Sequence, residues 1–345
     1  MARLILITHE LTINGAMSML FRLGEHLVAQ GHSVAVLAER RAQGSLRSRF
    51  ESAGLPIIYE IDPKAIDLAI GNTLYAAPVM RQLVGQTRTL WWVHEGEIGI
   101  KALVNGSGWH LLFRRCTHIV FQTAFQRDDI YRSFLYDLTS ERISIIANCV
   151  RPAVRVPPVP RDKSRRILCV GTVYPRKRQA DLIRAVASLG RDDLECVLVG
   201  PLVRALEPPI QAIVRSRPDV FRVLGEIDDH ALHALYCGSD IFSLPSSSES
   251  QAMSVYEAGS YGLPPVLSDL RCYQGIWQHG HNCLLHPVGD VPVLAGMLNV
   301  LLRDADLRRR LGQAAAATVG SHEFRDATFT GRFTALIDRL LAAAP

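Results

Sequence analysis

The sequence predicts an α/β protein of two doubly wound domains, each a parallel sheet with helices on both faces. Short apolar runs alternate with longer segments of helical periodicity along the chain, which is typical of βαβ units. A proline-rich stretch at residues 152–164 interrupts this alternation, and the same pattern restarts after it. At 345 residues the chain is also long for a single hydrophobic core, so two domains are expected.

Six strands are predicted in the first half, because each run is almost continuously apolar, as in sheets that are buried on both faces. They are Arg3–Ile7, Ser33–Leu37, Asp67–Ile70, Thr89–Val93, Thr117–Phe121 and Ile143–Ala147. The first helix is predicted over Ala16–Gln30, where apolar residues recur at helical spacing and Gly31 supplies a stop.

Residues 152–164 contain four prolines and several charges, which suits neither a helix nor a central strand, so we place the interdomain linker there. Beyond it the predicted strands are Arg166–Val170, Leu194–Val199, Val220–Leu224 and Asp240–Leu244, and the predicted helices are Gln179–Leu189 and Asp228–Cys237. Ligands of such sheets bind outside the carboxyl ends of the strands. We therefore expect the site in a cleft between two facing domains.

The composition excludes several classes of protein. Hydrophobic residues make up 48% and charged residues 21%, which fits an ordinary globular chain. The sequence has no apolar run long enough to cross a bilayer, and its N-terminus lacks the features of a signal peptide. The seven cysteines are scattered without a C-x-x-C pair, which favours reduced thiols in a cytoplasmic protein and argues against a zinc site.

The net charge of +5 comes mainly from the first half, since residues 1–160 hold 17 Lys and Arg against 13 Asp and Glu. The densest part of this excess is Arg40, Arg41, Arg47, Arg49, Arg114 and Arg115. Two interpretations remain open: a solvated surface, or a surface that meets anionic lipid at the inner membrane face or a phosphate-bearing acceptor. The charge is too diffuse to predict nucleic-acid binding.

Two carboxylates, Glu249 and Glu257, bracket a predicted strand-to-helix turn in SSSESQAMSVYEAGSYGLP, residues 246–264. The residues between them include Ser250, Gln251, Ala252, Met253 and Ser254. Backbone N–H groups at such a turn, with the positive end of the helix, suit a diphosphate, and the carboxylates suit sugar and ribose hydroxyls. The alternative, which the spacing leaves open, is that Ser246-x-x-Glu249 and Ser254-x-x-Glu257 are capping boxes.

A second segment, VGTVYPRKRQADLIRAV at residues 170–186, ends a strand at Gly171 and places Arg176 and Lys177 at the mouth of the next helix. Paired cations beside a helix N-terminus suit phosphate charge. A solvated basic loop is the alternative interpretation.

Two weaker signals lie in the first half. Gly15 opens the first helix, where a small residue lets a ligand approach. His94 follows a strand and so lies at the ligand-binding edge of the sheet, although a lone histidine is more often structural. No G-x-G-x-x-G follows the first strand, which argues against a dinucleotide cofactor. We interpret Asp304-Ala305-Asp306 as a helix start rather than a metal site.

Taken in order, these segments resemble the family 4 retaining glycosyltransferases of the GT-B fold. The resemblance covers essentially the whole chain and is strongest over residues 165–290. The matching strings are GTVYPRKRQADLIRAV, LVG, VLGEID, LYCGSDIFSLPSSSES and SVYEAGSYGLPPVLSD, with Glu249 to Glu257 as the family's E-x7-E element. It implies an acceptor-binding domain at 1–155, joined by a C-terminal helix at 322–345, and a nucleotide-sugar-binding domain at 165–321.

The resemblance also implies roles for the site residues. Glu249 would contact the donor sugar, Glu257 the ribose, and Arg176 and Lys177 the diphosphate, with His94 near the reacting sugar. The implied donor-binding positions also include Gly15, Gly171, Thr172, Gly225, Ile227, Ser250, Gln251, Ala252, Met253 and Ser254. The implied reaction is metal-independent, retaining transfer from a UDP-sugar, or else a GDP-sugar, to a hydroxyl acceptor in glycan, glycolipid or metabolite biosynthesis. The nucleotide sugar is a co-substrate, and no cofactor or metal is expected.

Three departures from the family pattern keep an alternative open. Asn14-Gly15 stands where Gly-Gly is frequent, Thr172 stands where Arg is usual, and Ser-Gln-Ala stands where Gly and Phe are frequent. They motivate a non-catalytic GT-B domain that acts as a partner or regulatory subunit. Three tryptophans have two interpretations, stacking on a sugar or lipid and core packing; they are Trp91, Trp92 and Trp109.

Overall fold

The computed structural model describes residues 1–39, 44, 46–106, 108–202 and 206–343. The chain divides into two compact units. The first unit comprises Met1–Cys149 and Glu323–Pro345, and the second comprises Val150–His322. The predicted linker at residues 152–164 contains no helix or strand and belongs to the second unit.

The first unit contains a parallel sheet of seven strands, in the order β3-β2-β1-β4-β5-β6-β7. The strands are β1 (Arg3–Thr8), β2 (Ser33–Ala38), β3 (Ile57–Ile58), β4 (Leu68–Asn72), β5 (Arg88–Val93), β6 (His118–Phe121) and β7 (Ile143–Ile145). The order changes direction between β1 and β4, so the loops after these two strands meet at the topological switch point.

Helices cover this sheet on both faces. In the first 149 residues they are α1 (Gly15–Ala29), α2 (Arg47–Ser52), α3 (Ala77–Leu83), α4 (Ile98–Asn105) and α5 (Trp109–Arg115). Leu20, Leu23 and Leu27 of α1 are buried, as the helical spacing predicts. Two buried apolar clusters result: one contains the buried face of α1, and the other contains buried residues of α3 and α5.

The second unit repeats this plan with six parallel strands, in the order β10-β9-β8-β11-β12-β13. The strands are β8 (Arg165–Val170), β9 (Leu194–Val199), β10 (Phe221–Val223), β11 (Ile241–Leu244), β12 (Pro265–Ser268) and β13 (Leu284–His286). The helices are α6 (Gln179–Ser188), α7 (Pro208–Ser216), α8 (Asp229–Cys237), α9 (Met253–Ser260), α10 (Val291–Arg303) and α11 (Ala305–Val319). Here the switch point lies between β8 and β11.

The last helix, α12 (Asp326–Ala342), belongs to the first unit. Phe329 and Phe333 pack on the ring of Trp92, with centroid distances of 5.7 and 4.7 Å. Trp91 and Trp92 are wholly buried. Their interpretation as sugar- or lipid-stacking residues is therefore wrong, because no face of either ring is accessible.

The predicted strands all occur, and their ends differ from the predicted ones by at most two residues. The longest strand that was not predicted is β12, which begins at a proline, and β3 and β13 are three residues long or shorter. These segments are short apolar runs whose pairing is set by their neighbours in the sheet, so the sequence pattern alone does not mark them.

Candidate active site

The candidate site lies at the carboxyl edge of the second sheet, at the switch point between β8 and β11. The loop after β8 and the loop after β11 are joined by a hydrogen bond from the N–H of Ser247 to the carbonyl of Arg176, 2.8 Å long. Gly171, directly after β8, has φ of +152°, a conformation that favours glycine. The Lys177 side chain lies 3.6 Å from where a Cβ on Gly171 would stand.

Three charged side chains meet across these two loops. The Lys177 Nζ atom lies 2.7 Å from Glu249 Oε1, and the Arg176 Nη1 atom lies 3.0 Å from Glu249 Oε2. Glu249 is only 8% exposed. The structure thus brings together residues separated by 72 positions in the sequence.

Two opposing influences set the ionisation of Glu249. Burial is the larger single influence and raises the pKa of this carboxyl, but the charges of Lys177 and Arg176 together outweigh it, so the pKa lies below its ordinary value of 4.5. Glu249 is therefore a carboxylate at neutral pH. The group of Glu249, Lys177 and Arg176, called the cation–carboxylate cluster below, carries two positive charges and one negative charge.

The loop that carries the two cations is fixed by neutral contacts. Pro175 begins a turn of 3₁₀ helix over Pro175–Lys177, for which its restricted φ is suited. The buried Gln179 side chain donates a hydrogen bond to the carbonyl of Thr172, 2.9 Å away. A Cβ on Gly200 would stand 2.4 Å from the Gly171 carbonyl oxygen, so this strand end admits only glycine. Sequence reasoning missed Gln179 and Gly200; for Gly200 the signal was a glycine directly after a predicted strand.

The turn after β11 leads into α9 without a capping side chain. The helix begins at Met253, and the residue before it, Ala252, makes no side-chain cap. Ser254 is the second residue of the helix, and no helix begins at Ser246. Both capping-box alternatives are therefore wrong. An uncapped helix start suits an anion, because its first N–H groups have no intrahelical acceptor.

The structure places the remaining predicted donor-binding positions around this edge. Glu257 lies in α9, where its Oε2 accepts a hydrogen bond from the Tyr236 hydroxyl, 3.1 Å away. The Tyr236 ring stacks on Tyr261 at 4.9 Å. Gly225 has φ of +69°, and its carbonyl accepts from the N–H of Gly200, 2.8 Å away. Ile227 is half-buried in the loop before α8.

Two predicted residues, His94 and Gly15, belong to the first unit. His94 follows β5 and is 9% exposed, with its ring on Trp92 at 4.4 Å. Burial lowers the pKa of His94 to about 3, so its ring is neutral. The Gln122 amide nitrogen contacts its Nδ1 atom. Gly15 is the first residue of α1, and the Asn14 side chain caps this helix by accepting from the Met17 N–H at 3.0 Å.

Asp304 caps a helix, as predicted, because its side chain accepts from the N–H of Leu307 at 2.8 Å. Within the described ranges, no three His, Cys, Asp or Glu side chains are grouped as a metal site requires. Likewise, none of the described helices is both long and apolar enough to span a membrane. The basic residues Arg40 and Arg41 lie outside the described residues.

Two family models match the chain. Residues 150–318 match a model described as glycosyl transferases group 1, and residues 2–101 match one described as glycosyl-transferase family 4. A phosphatidyl-myo-inositol mannosyltransferase of Mycobacterium leprae is 30% identical over 153 residues, which cover 44% of this chain and 40% of that protein. The sulfoquinovosyl transferase SQD2 of Arabidopsis thaliana is 31% identical over 122 residues, which cover 34% and 24%. The chain therefore spans less than half the length of either curated relative.

Solved structures give the fold. The Anabaena protein Alr3699/HepE in complex with UDP and glucose superposes with a TM-score of 0.82 at 16% identity, over 98% of this chain and 100% of that chain. A sucrose-phosphate synthase from Thermosynechococcus elongatus superposes with a TM-score of 0.75 at 18% identity, over 100% of both chains. At these identities the likeness concerns the fold alone, two Rossmann-like domains of the GT-B type.

Proposed function

Because the chain belongs to the group 1 and family 4 glycosyltransferases, we propose that it transfers a sugar from a nucleoside-diphosphate donor to a hydroxyl acceptor. The observation that carries this proposal is the cation–carboxylate cluster of Glu249, Lys177 and Arg176, beside the uncapped start of α9.

The chemistry follows from where charge develops. As the bond between the sugar C1 and the phosphate oxygen breaks, negative charge grows on the diphosphate. Lys177, Arg176 and the first N–H groups of α9 stabilise that charge from fixed positions. In this proposal the two side-chain cations and the helix start take the place of a metal ion in stabilising the charge on the diphosphate.

The carboxylates orient the donor. The ionised Glu249 accepts hydrogen bonds from donor sugar hydroxyls, and Glu257, held by Tyr236, accepts from the ribose. The segment Leu224–Ile227 holds the base, and His94, as a neutral ring, donates to the reacting sugar. The acceptor oxygen forms its bond to C1 on the face that the phosphate leaves, and its proton passes to the leaving phosphate oxygen, so the configuration is retained.

We propose UDP as the donor nucleotide, with GDP as the competing candidate. The fold relatives from Anabaena were solved with UDP and with UDP-glucose, which supports this choice. The curated relatives, named as a mannosyltransferase and a sulfoquinovosyl transferase, support a sugar as the transferred group and leave its identity to experiment.

Donor hydrolysis tests the proposal without knowledge of the acceptor. The purified chain is screened with UDP- and GDP-sugars for slow release of the nucleotide, and nucleotide binding is measured by calorimetry. We expect hydrolysis of one donor class, and a loss of at least tenfold in Glu249→Ala and Lys177→Ala. The alternative of a non-catalytic partner subunit predicts that no donor is hydrolysed or transferred and that the chain forms a stable complex with another protein. That result would replace the proposal.

We also propose that the first unit meets an anionic lipid surface. Apolar side chains on α4 and α5 are more than half exposed, namely Ile98, Val104 and Leu111. The exposed cations Lys101 and Arg115 lie on the same two helices, which pack against each other. Apolar insertion combined with positive charge favours anionic membranes.

Vesicle flotation tests this surface. Binding to vesicles that contain phosphatidylglycerol is expected to exceed binding to pure phosphatidylcholine vesicles, and to fall in Val104→Ser/Leu111→Ser. Val300→Ser, on an equally exposed valine of α10, is the matched control. Equal flotation of the wild type and the double variant would exclude the surface.

A further inference from the structure

The loop that follows β4 holds a residue in a conformation that is normally reserved for glycine. Thr73 has φ of 70° and ψ of 166°, a region that is unfavourable for a residue with a side chain. Two hydrogen bonds pin its backbone: its N–H donates to the Trp92 carbonyl at 2.9 Å, and its carbonyl accepts from the Trp91 indole at 2.7 Å. Strain of this kind is typical of functional sites.

The contacts of the threonine side chain explain why residue 73 is not a glycine. Its hydroxyl oxygen accepts from the Tyr75 N–H at 3.3 Å and lies 3.4 Å from the Nδ1 atom of His9. Glycine would relieve the backbone but would release both contacts and the hydrogen bond between the Thr73 side chain and Glu95. The strained residue therefore serves to position Tyr75 and His9, which come from the loops after β4 and β1 at the switch point of the first sheet.

A buried carboxyl group lies beneath this loop. Glu95 accepts from the Leu74 N–H at 2.9 Å and from the His94 N–H at 3.1 Å. Gly99 makes room for it, since a Cβ there would stand 2.6 Å from the Glu95 Cβ atom and 2.2 Å from the Tyr131 hydroxyl. Glu95 thus links the loop after β4 to the loop after β5.

Aromatic side chains lie next to the loop that follows β4. The Tyr75 side chain is half exposed, and its ring centroid lies 4.9 Å from that of His9 and 6.4 Å from that of Trp109. Binding pockets for small molecules combine such rings with a few polar groups that fix orientation. A ring that carries C–H groups on its faces and hydroxyls around its edge matches this combination. Aromatic faces attract C–H groups, and Glu10, whose Oε1 lies 3.5 Å from the His9 Nε2 atom, adds a hydrogen-bond acceptor beside the rings.

We propose that Tyr75, His9 and Trp109 form a subsite for a polyhydroxylated six-membered ring, which is the acceptor. This inference rests on the proposed function only where it identifies the ring as the acceptor. The residues of the subsite all lie within the first unit. A sugar and a cyclitol share the required chemistry, and the experiment distinguishes them.

Ligand-observed NMR on the full chain tests the subsite with two probes, methyl α-D-glucopyranoside and myo-inositol. The wild type is expected to bind at least one of them, and Tyr75→Ala is expected to bind it about tenfold more weakly. Tyr75→Phe keeps the ring and is expected to stay within twofold of the wild type. The matched control is Tyr136→Ala, since Tyr136 is 74% exposed and is also a tyrosine of the first unit.

A second variant distinguishes a loss of probe binding from a loss of folding. Thr73→Gly relieves the backbone strain but loses the hydrogen bond to Glu95, so it is expected to unfold near the wild-type temperature. It is expected to bind the probe several-fold more weakly, because Tyr75 and His9 lose their link. The subsite is overturned if the wild type binds neither probe, if Tyr75→Ala binds as the wild type does, or if Tyr136→Ala loses as much affinity.

Failure of the proposed function has a different signature. In that case the wild type binds neither UDP nor GDP and hydrolyses no donor, whatever the result with the ring probes. Probe binding that depends on Tyr75 in such a protein would still support a polyol subsite, whereas UDP binding without probe binding would remove only the subsite.

Discussion

Replacing Lys177 with methionine separates two effects of this side chain: it stabilises the folded protein by pairing with Glu249, and in the proposed function it binds the diphosphate. Lys177→Met keeps most of the side-chain volume but removes the charge that lies 2.7 Å from Glu249. At an effective dielectric constant of about 20, the gross attraction across this distance is about 6 kcal/mol, of which desolvation cancels a large part. Arg176 stays 3.0 Å from the same carboxylate, so we expect the unfolding free energy to fall by about 2 kcal/mol rather than the 3–5 kcal/mol typical of a lone buried charge.

The effect on nucleotide binding is expected to be at least as large. A hydrogen bond to a charged group contributes about 1.5–3 kcal/mol, so UDP affinity falls about 10- to 100-fold in Lys177→Met. The salt dependence of the remaining affinity also weakens, because one cation fewer faces the diphosphate.

Titration calorimetry with UDP and urea unfolding measure these two effects on the same samples. Lys163→Met is the matched control, since Lys163 Nζ pairs with Asp219 Oδ2 at 3.0 Å and precedes the opposite, amino end of β8. We expect wild-type UDP affinity in this control. If Lys177→Met loses stability while its UDP affinity stays within twofold of the wild type, Lys177 serves only to balance Glu249, and the assignment to the diphosphate is refuted.

Three further predictions concern residues just beyond the carboxyl ends of strands β5, β6 and β9. Gln122→Glu places a negative charge beside the imidazole of His94 and is expected to raise its pKa above about 3, which NMR titration of the histidine ring measures; an unchanged pKa would contradict the contact. Burial raises the pKa of Glu95 from 4.5 to about 7. The unfolding free energy therefore falls by about 3 kcal/mol as the pH rises from 4.5 to 7, and urea unfolding across this range should show that Glu95→Gln lacks this decline. Gly200→Ala drives its methyl group against the Gly171 carbonyl oxygen, 2.4 Å away, so we expect a loss of about 2 kcal/mol in unfolding free energy by chemical denaturation; wild-type stability would show that the strand end can move.

Much of the fold follows from patterns within single segments. The strands β1 and β5 are apolar runs after their first residues, and their burial on both faces is what such runs predict. The sequence pattern did not mark β12, although it is as long as β6 and β11, which were predicted. It begins at Pro265 and pairs on both sides with β11 and β13, and a proline argues against a central strand when only the sequence is known.

The residues of the candidate site that follow a strand could be predicted from the sequence. Contacts between side chains on separate helices could not. Arg176 and Glu249 each follow a strand at the switch point, so their proximity followed from topology. The hydrogen bond from Tyr236 to Glu257 joins α8 to α9, and no spacing in the sequence predicts it. The capping boxes failed for a related reason: the motif Ser254-x-x-Glu257 fits the rule, but α9 has already begun at Met253.

The two buried carboxyl groups show why local sequence leaves the chemistry undetermined. Glu95 and Glu249 each lie just beyond the end of a strand, at the carboxyl edge of a parallel sheet. For both, burial is the largest influence and raises the pKa. Only Glu249 has two cations within 3.0 Å, and they hold its pKa below 4.5, whereas backbone N–H groups bring the pKa of Glu95 down only to about 7. At neutral pH Glu249 is therefore a hydrogen-bond acceptor only, whereas Glu95 is protonated part of the time and can then donate. This difference is fixed by the partners that the fold supplies to each carboxyl group.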